Sequence, residues 1–265
     1  VAVVYELHAF FLSKGAGTVK VTIEDRFRAA LIHALFSLVL LGIALYLVFV
    51  LWYPAPLSEA VGVTGIYYLM LAVDLLLGPA LTFVVFKFDR ARLAFDLVVI
   101  LLVQMTFYIY GLMIVSQGRP EWLVFVVDDF ELVRQVDIDR RAEVDFAPEF
   151  RQTLWDGPRW AAAVYSDDPD VARVQKEDEM FLGISLATRP ETYVPLRSRV
   201  ERVLEESRSM PELSRYNDPA LIEGELSRYP EATGWLPMKG VERDMVVLLD
   251  DAGDVLGVVP LAPWD

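Results

Sequence analysis

Three apolar segments of about 22 residues each dominate the amino-terminal part of the chain, at Ala29–Trp52, 65–86 and 93–115. At a rise of about 1.5 Å per residue, each segment is long enough to cross a hydrocarbon core of about 30 Å. The segments contain almost no polar residues at helical spacing, which buried helices of a soluble protein would need. The sequence therefore predicts a membrane protein with three transmembrane α-helices.

Positive charge near the helix ends predicts their orientation, because Lys and Arg resist translocation. Five Lys and Arg residues lie close to these ends, just before the first segment or between the second and third: Arg26, Arg28, Lys87, Arg90 and Arg92. The loop over 53–64 contains none. We therefore expect a cytoplasmic amino terminus and residues after 118 in the periplasm of a bacterial inner membrane. Three aromatic residues are expected at the outer membrane boundary: Trp52, Tyr53 and Trp122.

The chain becomes polar and acidic after the third segment. Of its 24 Lys+Arg and 38 Asp+Glu, residues 1–120 contain 8 and 7, so 16 and 31 remain for a net charge of −15. Such a surface repels phosphate backbones, which argues against nucleic acid as a ligand. It favours a solvated acidic surface, with a docking face for a basic partner as the alternative. We predict a cytoplasmic segment 1–28, a transmembrane bundle 29–115 and an acidic periplasmic domain 120–265.

The first 20 residues fit this organisation poorly. Their apolar run of about 13 residues is too short to span a membrane, and no signal-peptide cleavage pattern follows it. We therefore expect translation to begin at Val21.

The acidic domain has the pattern of an α+β fold. Within 122–133 a strand is predicted, followed by a turn at Asp128 and Asp129 and then by a second short strand or the start of a helix. A further strand is predicted over Arg159–Tyr165. Helices are predicted after Asp168, where Val171, Val174, Met180 and Phe181 have helical spacing, and at Leu196–Glu206 and Pro219–Arg228. A closing hairpin is predicted from Met245–Leu249 and Val255–Leu261, with Gly253 in the turn.

The residue inventory argues against catalysis. The chain has no cysteine and two histidines, His8 and His33, so a Ser-His-Asp triad or a His-rich zinc site cannot be built in the acidic domain. We predict no catalytic, cofactor or metal site. His33 is interpreted as a helix-packing or interfacial residue.

Two acidic residues lie within the predicted spans, where a charged carboxylate costs about 2.5–3.5 kcal/mol. Asp74 is near the middle of the second segment, and Asp96 is about one turn into the third. Asp74 either ties the bundle together by hydrogen bonding or recognises a client helix; its candidate bundle partners are Ser37, Tyr67, Gln104 and Thr106. An intramembrane aspartyl protease is disfavoured because the two carboxylates would differ in depth by roughly 13 Å.

Gly78 and Pro79 occupy the middle of the second segment. Proline removes a backbone hydrogen bond, so we predict that these residues interrupt the helix and kink it. The resulting groove could hold a second helix.

Six stretches, taken in order, carry a resemblance to a known family: WYPAPL, VDLLLGPALTFVVFK, FDLVVILLVQ, YGLMIVSQGRP, VFVVDDFELV and RDMVVLLDDAGDVLGVVPLAPW. On these stretches the chain, from about Arg26 to Trp264, resembles type IV pilin accessory proteins of the TfpX/TfpZ (FimB-like) type. The resemblance implies a non-catalytic inner-membrane protein that binds a major pilin and promotes pilus assembly, with other pilus components as further partners.

Pilins of this class bring a free amino terminus and a glutamate close to the cytoplasmic leaflet. Under the resemblance, Asp96 would meet that amine, and Lys87 or Arg90 that glutamate. The candidate partner-helix contacts are therefore Asp74, Gly78, Pro79, Lys87, Arg90 and Asp96. The alternative is a scaffold of the pilus machinery that acts through the periplasmic domain.

Overall fold

The chain forms two compact units in the computed structural model, which describes residues 22–85, 90–139, 141 and 147–265. The first unit comprises the described residues up to Leu47 and those of 64–115. The second comprises Val48–Val63 and Ser116–Asp265. The segment between the first two long helices therefore belongs with the second unit. The predicted leader and Lys87 lie outside the described residues.

Three long helices make up the first unit: α1 (Ile23–Tyr46), α3 (Thr64–Val85) and α4 (Arg90–Gln117). A π-helix, Leu47–Trp52, continues α1. The combined helix Ile23–Trp52 and the stretch Phe95–Gln117 are long and apolar enough to cross a membrane. In α3 the described apolar stretch is shorter, at Leu75–Val84, so three spans stay a prediction.

A capping box begins α1 six residues before the predicted apolar segment. The Thr22 hydroxyl accepts from the Asp25 N–H, and the Asp25 carboxylate accepts from the Thr22 N–H at 3.0 Å. These bonds satisfy backbone donors that the first turn of a helix leaves unpaired. The charged residues Arg26 and Arg28 therefore lie within the helix.

The second unit is an α+β fold, as predicted, built on an eight-stranded sheet. Its strands are β1 (Pro120–Val126), β2 (Asp129–Arg134), β3 (Arg159–Ala163), β4 (Tyr193–Val194), β5 (Arg208–Ser209), β6 (Gly234–Lys239), β7 (Met245–Leu249) and β8 (Val255–Val259). Their order is β4-β3-β1-β2-β6-β7-β8, and β5 pairs with β6. The pairs β1/β3 and β2/β6 are parallel, and the others are antiparallel.

The predicted closing hairpin is confirmed, and the segment after the first strand, expected to be a short strand or the start of a helix, is a strand. β1 and β2 pair antiparallel around the turn at Val127 and Asp128. β7 and β8 pair across a turn in which Gly253 has φ 77°, a left-handed conformation that glycine adopts without strain. β6 was not predicted from the sequence; it contains Pro237, a residue that normally argues against an inner strand.

The helices of the second unit are α2 (Leu57–Val61), α5 (Pro169–Leu182), α6 (Val200–Glu206) and α7 (Pro219–Leu226). The last three confirm the predicted helices. On α5, however, the apolar residues with helical spacing are exposed: Val171, Val174, Met180 and Phe181. The buried residue of α5 is Gln175, which accepts the Ser166 N–H.

The expected interfacial aromatics are instead buried. Trp52 is 5% exposed, Tyr53 1% and Trp122 0%, so their rings contact protein within the second unit. Trp122 packs edge-on against Phe150 and Tyr193. Their rings therefore pack against protein, and their expected position at the membrane boundary stays a prediction.

The connection between α1 and α3 supplies part of the sheet's core. Leu57 and Ala60 of α2 are buried in the same cluster as residues of β1, β2, β6 and β7. The Ala60 carbonyl accepts from the backbone N–H groups of Val241, Glu242 and Arg243 at 3.0, 2.8 and 3.3 Å. The segment Val48–Val63 and the sheet therefore fold together as one unit.

We expect Leu57→Ala to lower the free energy of unfolding of the second unit by about 2–5 kcal/mol, because it removes buried side-chain volume from the core. The matched control is Leu221→Ala on α7, whose side chain is 61% exposed; its effect should stay within about 0.5 kcal/mol. Denaturation of the purified full chain, followed by tryptophan fluorescence, measures both. Equal midpoints for the two variants would contradict the placement of Leu57.

Candidate functional site in the helical unit

A cluster of polar side chains joins the three long helices of the first unit. His33 and Ser37 lie on α1, Thr82 on α3 and Gln104 on α4. His33 Nδ1 is 2.5 Å from Thr82 Oγ1, and His33 Nε2 is 2.5 Å from Gln104 Oε1. Gln104 Nε2 donates to Ser37 Oγ at 3.0 Å. His33, Ser37 and Thr82 are buried.

One continuous set of hydrogen bonds can link the side chains of this cluster. With the Gln104 amide oriented so that its Nε2 donates to Ser37, its Oε1 faces His33 Nε2 and accepts a hydrogen bond from it. The Thr82 hydroxyl can then donate to Nδ1, while the Gln104 amide donates to Ser37. The bonds therefore run from Thr82 through His33 and Gln104 to Ser37, and each donor meets an acceptor.

Gly78 lies against the centre of the cluster. A Cβ at this position would be 2.6 Å from Gln104 Oε1 and 2.8 Å from His33 Nε2. No side-chain carbon fits at these distances without displacing the hydrogen-bonded pair. Gly78 therefore allows α3 to approach the side chains of α1 and α4.

The second helix is continuous across Gly78 and Pro79 and is not interrupted, whereas the predicted kink stays a prediction. Gly78 and Pro79 lie inside α3, which runs as one helix from Thr64 to Val85. A proline removes one intrahelical donor, and long apolar helices tolerate this where neighbouring helices support the backbone. Gly78 belongs to the site through close packing, and a kink-derived groove is not needed to explain it.

The candidate partners of Asp74 have other contacts. Ser37 and Gln104 bond to each other, and the Thr106 hydroxyl donates to the Leu102 carbonyl of its own helix at 2.8 Å. Asp74 lies in α3, but its side chain is outside the described part, so both interpretations of its role stay predictions.

The remaining predicted contacts are distributed along α3 and α4. Pro79 and Asp96 are half-buried, and Arg90 begins α4 with its side chain outside the description. Lys87 lies outside the described residues. Among the candidate partner-helix contacts that the structure describes, Gly78 lies in the polar cluster.

Sequence reasoning interpreted His33 as a helix-packing or interfacial residue, and the structure agrees with packing between helices. It missed Thr82. Spacing of four residues could have found it, because residues i and i+4 share a helix face. His33 and Ser37, Gly78 and Thr82, and Gln104 and Tyr108 all have this spacing. Tyr108 also links two helices, since its hydroxyl donates to the Leu40 carbonyl of α1 at 2.8 Å.

The chemistry available here is hydrogen bonding between helices. Among the described residues, no group of three or more His, Cys, Asp or Glu could hold a metal ion. In apolar surroundings an unpaired polar group costs several kcal/mol, so the cluster favours the arrangement in which its members meet. Each bond between helices contributes about 0.6 kcal/mol on average.

Comparisons with known proteins identify the family. A relative from Dichelobacter nodosus, "Fimbrial assembly protein, serogroups C1 and C2", is 31% identical over 110 residues, which cover 40% of this chain and 83% of the relative. The chain belongs to the FimB family of fimbrial assembly proteins. The FimB profile itself, described as "Fimbrial assembly protein FimB", matches residues 21–62. No solved structure matches the chain.

A second FimB relative covers more of the sequence. "Fimbrial assembly protein, serogroup I" of Dichelobacter nodosus is 29% identical over 177 residues, or 65% of this chain and 67% of the relative. These names describe assembly and not catalysis. The FimB profile match over 21–62 takes in α1, the π-helix and α2. It therefore includes His33 and Ser37 of the cluster together with the segment that enters the sheet domain.

We expect Gly78→Ala to destabilise the first unit by about 1–2 kcal/mol, because the new methyl group must separate His33 from Gln104. The matched control is Gly42→Ala on α1, where a Cβ would have no neighbour within 4 Å. Alanine is the better helix former by about 1 kcal/mol, so the control should be neutral or stabilising. Thermal unfolding of the full chain in detergent micelles distinguishes the two. Equal transition temperatures would refute the close approach at Gly78.

Proposed function

We propose that this chain is a non-catalytic accessory protein of type IV pilus assembly that binds a major pilin before polymerisation. In this proposal the first unit spans the bacterial inner membrane with three helices, and the second unit lies in the periplasm. The observation that carries the proposal is membership of a fimbrial assembly family by a chain with two helices long and apolar enough to cross a membrane.

The distribution of polar and apolar side chains supports a helical partner in the bilayer. The described polar groups of the cluster bond to one another inside the unit. Large apolar side chains on all three helices are exposed, among them Leu31, Leu35, Leu76, Leu77, Leu102 and Phe107. These surfaces suit lipid chains or the apolar helix of a pilin. A client helix would then pack on the outside of the unit.

Charged residues near the α3–α4 turn would give such a helix its register. Asp96 is half-buried on α4 and would meet the amino terminus of the pilin. Lys87 or Arg90 would meet the pilin glutamate, and Asp74 would lie deeper along the same client. Charge pairs of this kind are strong in apolar surroundings because water does not screen them.

Photo-crosslinking in cells that express the cognate pilin tests this arrangement. Crosslinkers beside Gly78 and Asp96 should form adducts with pilin, whereas a crosslinker at Trp264 in the second unit should not. An Asp96→Ala, Lys87→Ala double variant should lower both pilin abundance and co-purification. Its control is Glu177→Ala with Arg173→Ala, which removes an exposed ion pair of 2.9 Å from α5. Unchanged pilin abundance and co-purification in the first double variant would refute the charge pairing.

A scaffold that binds pilus assembly components through its second unit is the competing function. One observation favours it: the family profile match reaches residue 62 and so includes most of the segment that belongs to the second unit. The strongly acidic second unit would then bind a basic surface.

Exchange of the long helices separates the two functions. Because Val48–Val63 is part of the second unit, the exchange must replace α1, α3 and α4 and leave that segment in place. We expect the exchanged protein to lose pilin co-purification and fimbriation, provided the second unit keeps its own unfolding transition. Full fimbriation after the exchange would favour the scaffold.

A further inference from the structure

A turn over 153–156 on the surface of the second unit has two apolar residues at its tip, Leu154 and Trp155. The Asp156 N–H donates to the Thr153 carbonyl at 3.2 Å, and the Asp156 carboxylate accepts from the Thr153 N–H at 2.6 Å. The hydrogen bonds that the Asp156 carboxylate accepts from the Thr153 N–H and from the Thr153 hydroxyl hold its pKa below its ordinary value. Leu154 and Trp155 are the two central residues of the turn.

Four contacts fix this turn to the body of the unit. Trp52 Nε1 donates to the Leu154 carbonyl at 2.7 Å, and the buried Arg119 guanidinium donates to the Thr153 carbonyl at 3.2 Å. Gln152 Nε2 donates to the Glu121 carbonyl. Gly157 packs so closely that a Cβ would be 2.9 Å from the Leu51 carbonyl.

The side chains at the tip point away from this support. Leu154 is 53% exposed and Trp155 73% exposed. An exposed tryptophan on a turn whose backbone is fixed from both sides loses little entropy when it meets a partner. Tryptophan prefers membrane–water interfaces, where its ring meets apolar chains and its N–H meets water.

The position of the turn identifies that partner. Two of its contacts, Trp52 and Leu51, are the last residues of the helix Ile23–Trp52, which is long and apolar enough to cross a membrane. Val50, one residue earlier in the same π-helix, is 59% exposed. Where such a helix leaves the bilayer, a turn bound to its last residues lies at the level of the lipid head groups.

Local charge agrees with this location. The second unit is acidic as a whole, yet residues 151–159 contain two arginines, Arg151 and Arg159, and one acidic residue, Asp156. This stretch is therefore net positive and does not repel anionic head groups.

We propose that Leu154 and Trp155 insert into the head-group region of the bilayer beside the end of the first span, and so attach the second unit to the membrane surface. The inference rests on the proposed membrane location of the Ile23–Trp52 helix. It assigns to Trp155 the interfacial role that the sequence predicted for Trp52, Tyr53 and Trp122.

The absence of cysteine from the chain permits a direct test. Single-cysteine variants of the full chain, labelled with an environment-sensitive fluorophore, are reconstituted into vesicles of phosphatidylethanolamine and phosphatidylglycerol. Nitroxide-labelled lipids, spin-labelled near the head group or near the chain end, then quench the fluorophore. The test variants are Trp155→Cys and, in case that variant folds poorly, Leu154→Cys.

Two control positions bracket the expected result. Phe181→Cys on α5 has a matched exposure of 74% and lies outside both the turn and the π-helix; it should not be quenched. Val50→Cys reports the span itself and should be quenched. Labels at 154 and 155 should be quenched more by the nitroxide near the head group than by the one near the chain end.

The outcomes are distinguishable. Quenching at 50 combined with a response at 154 and 155 equal to that at 181 would overturn the inference and make the tip a protein-docking surface. Absence of quenching at 50 as well would overturn the membrane location of the first helix, and with it both proposals.

Discussion

The burial of Leu57 and Ala60 in the core of the sheet domain joins the two chain segments of the second unit. These residues precede the first strand by the whole of α3 and α4, yet they pack with Leu123 and Phe125 of β1. The Ala60 carbonyl also accepts three backbone N–H groups from residues 241–243. The residues from Ser116 onward therefore do not form a complete domain by themselves. The connection between two long helices is at the same time a core element of the sheet domain.

In the first unit, hydrogen bonds between side chains hold the helices together as core packing does in the second unit. Apolar surfaces give long helices little reason to adopt one rotation over another in lipid, because lipid chains are as apolar as leucine. His33 on α1 contacts both Thr82 on α3 and Gln104 on α4. These two contacts fix which face of each helix points toward the other two. Gly78 leaves the space that the contact needs. The cluster thus selects a single arrangement of three otherwise uniform helices.

Much of the secondary structure could be predicted, because its signals are local. Length and apolarity identified the long helices, a polar turn with Gly253 identified the closing hairpin, and Asp168 marked the start of α5. The candidate site was predictable only in part. Gly78 was singled out for a kink, whereas in the structure it makes room for the contact of His33 with Gln104. Thr82 was overlooked, because its spacing of four residues from Gly78 points to a shared helix face but not to its partner on another helix.

By itself the sequence determined the long apolar helices, the α+β character of the acidic part, the closing hairpin and the resemblance to FimB-like proteins, which the comparisons confirm as the family. Only the tertiary structure decided that Val48–Val63 joins the sheet domain, that Trp52, Tyr53 and Trp122 are buried, and that Trp155 is exposed. The reason is physical. Periodicity and capping depend on neighbours within a few residues, whereas burial depends on which distant segments meet in a core. Trp52 and Trp155 look equally suited to a membrane boundary until the fold covers one of them.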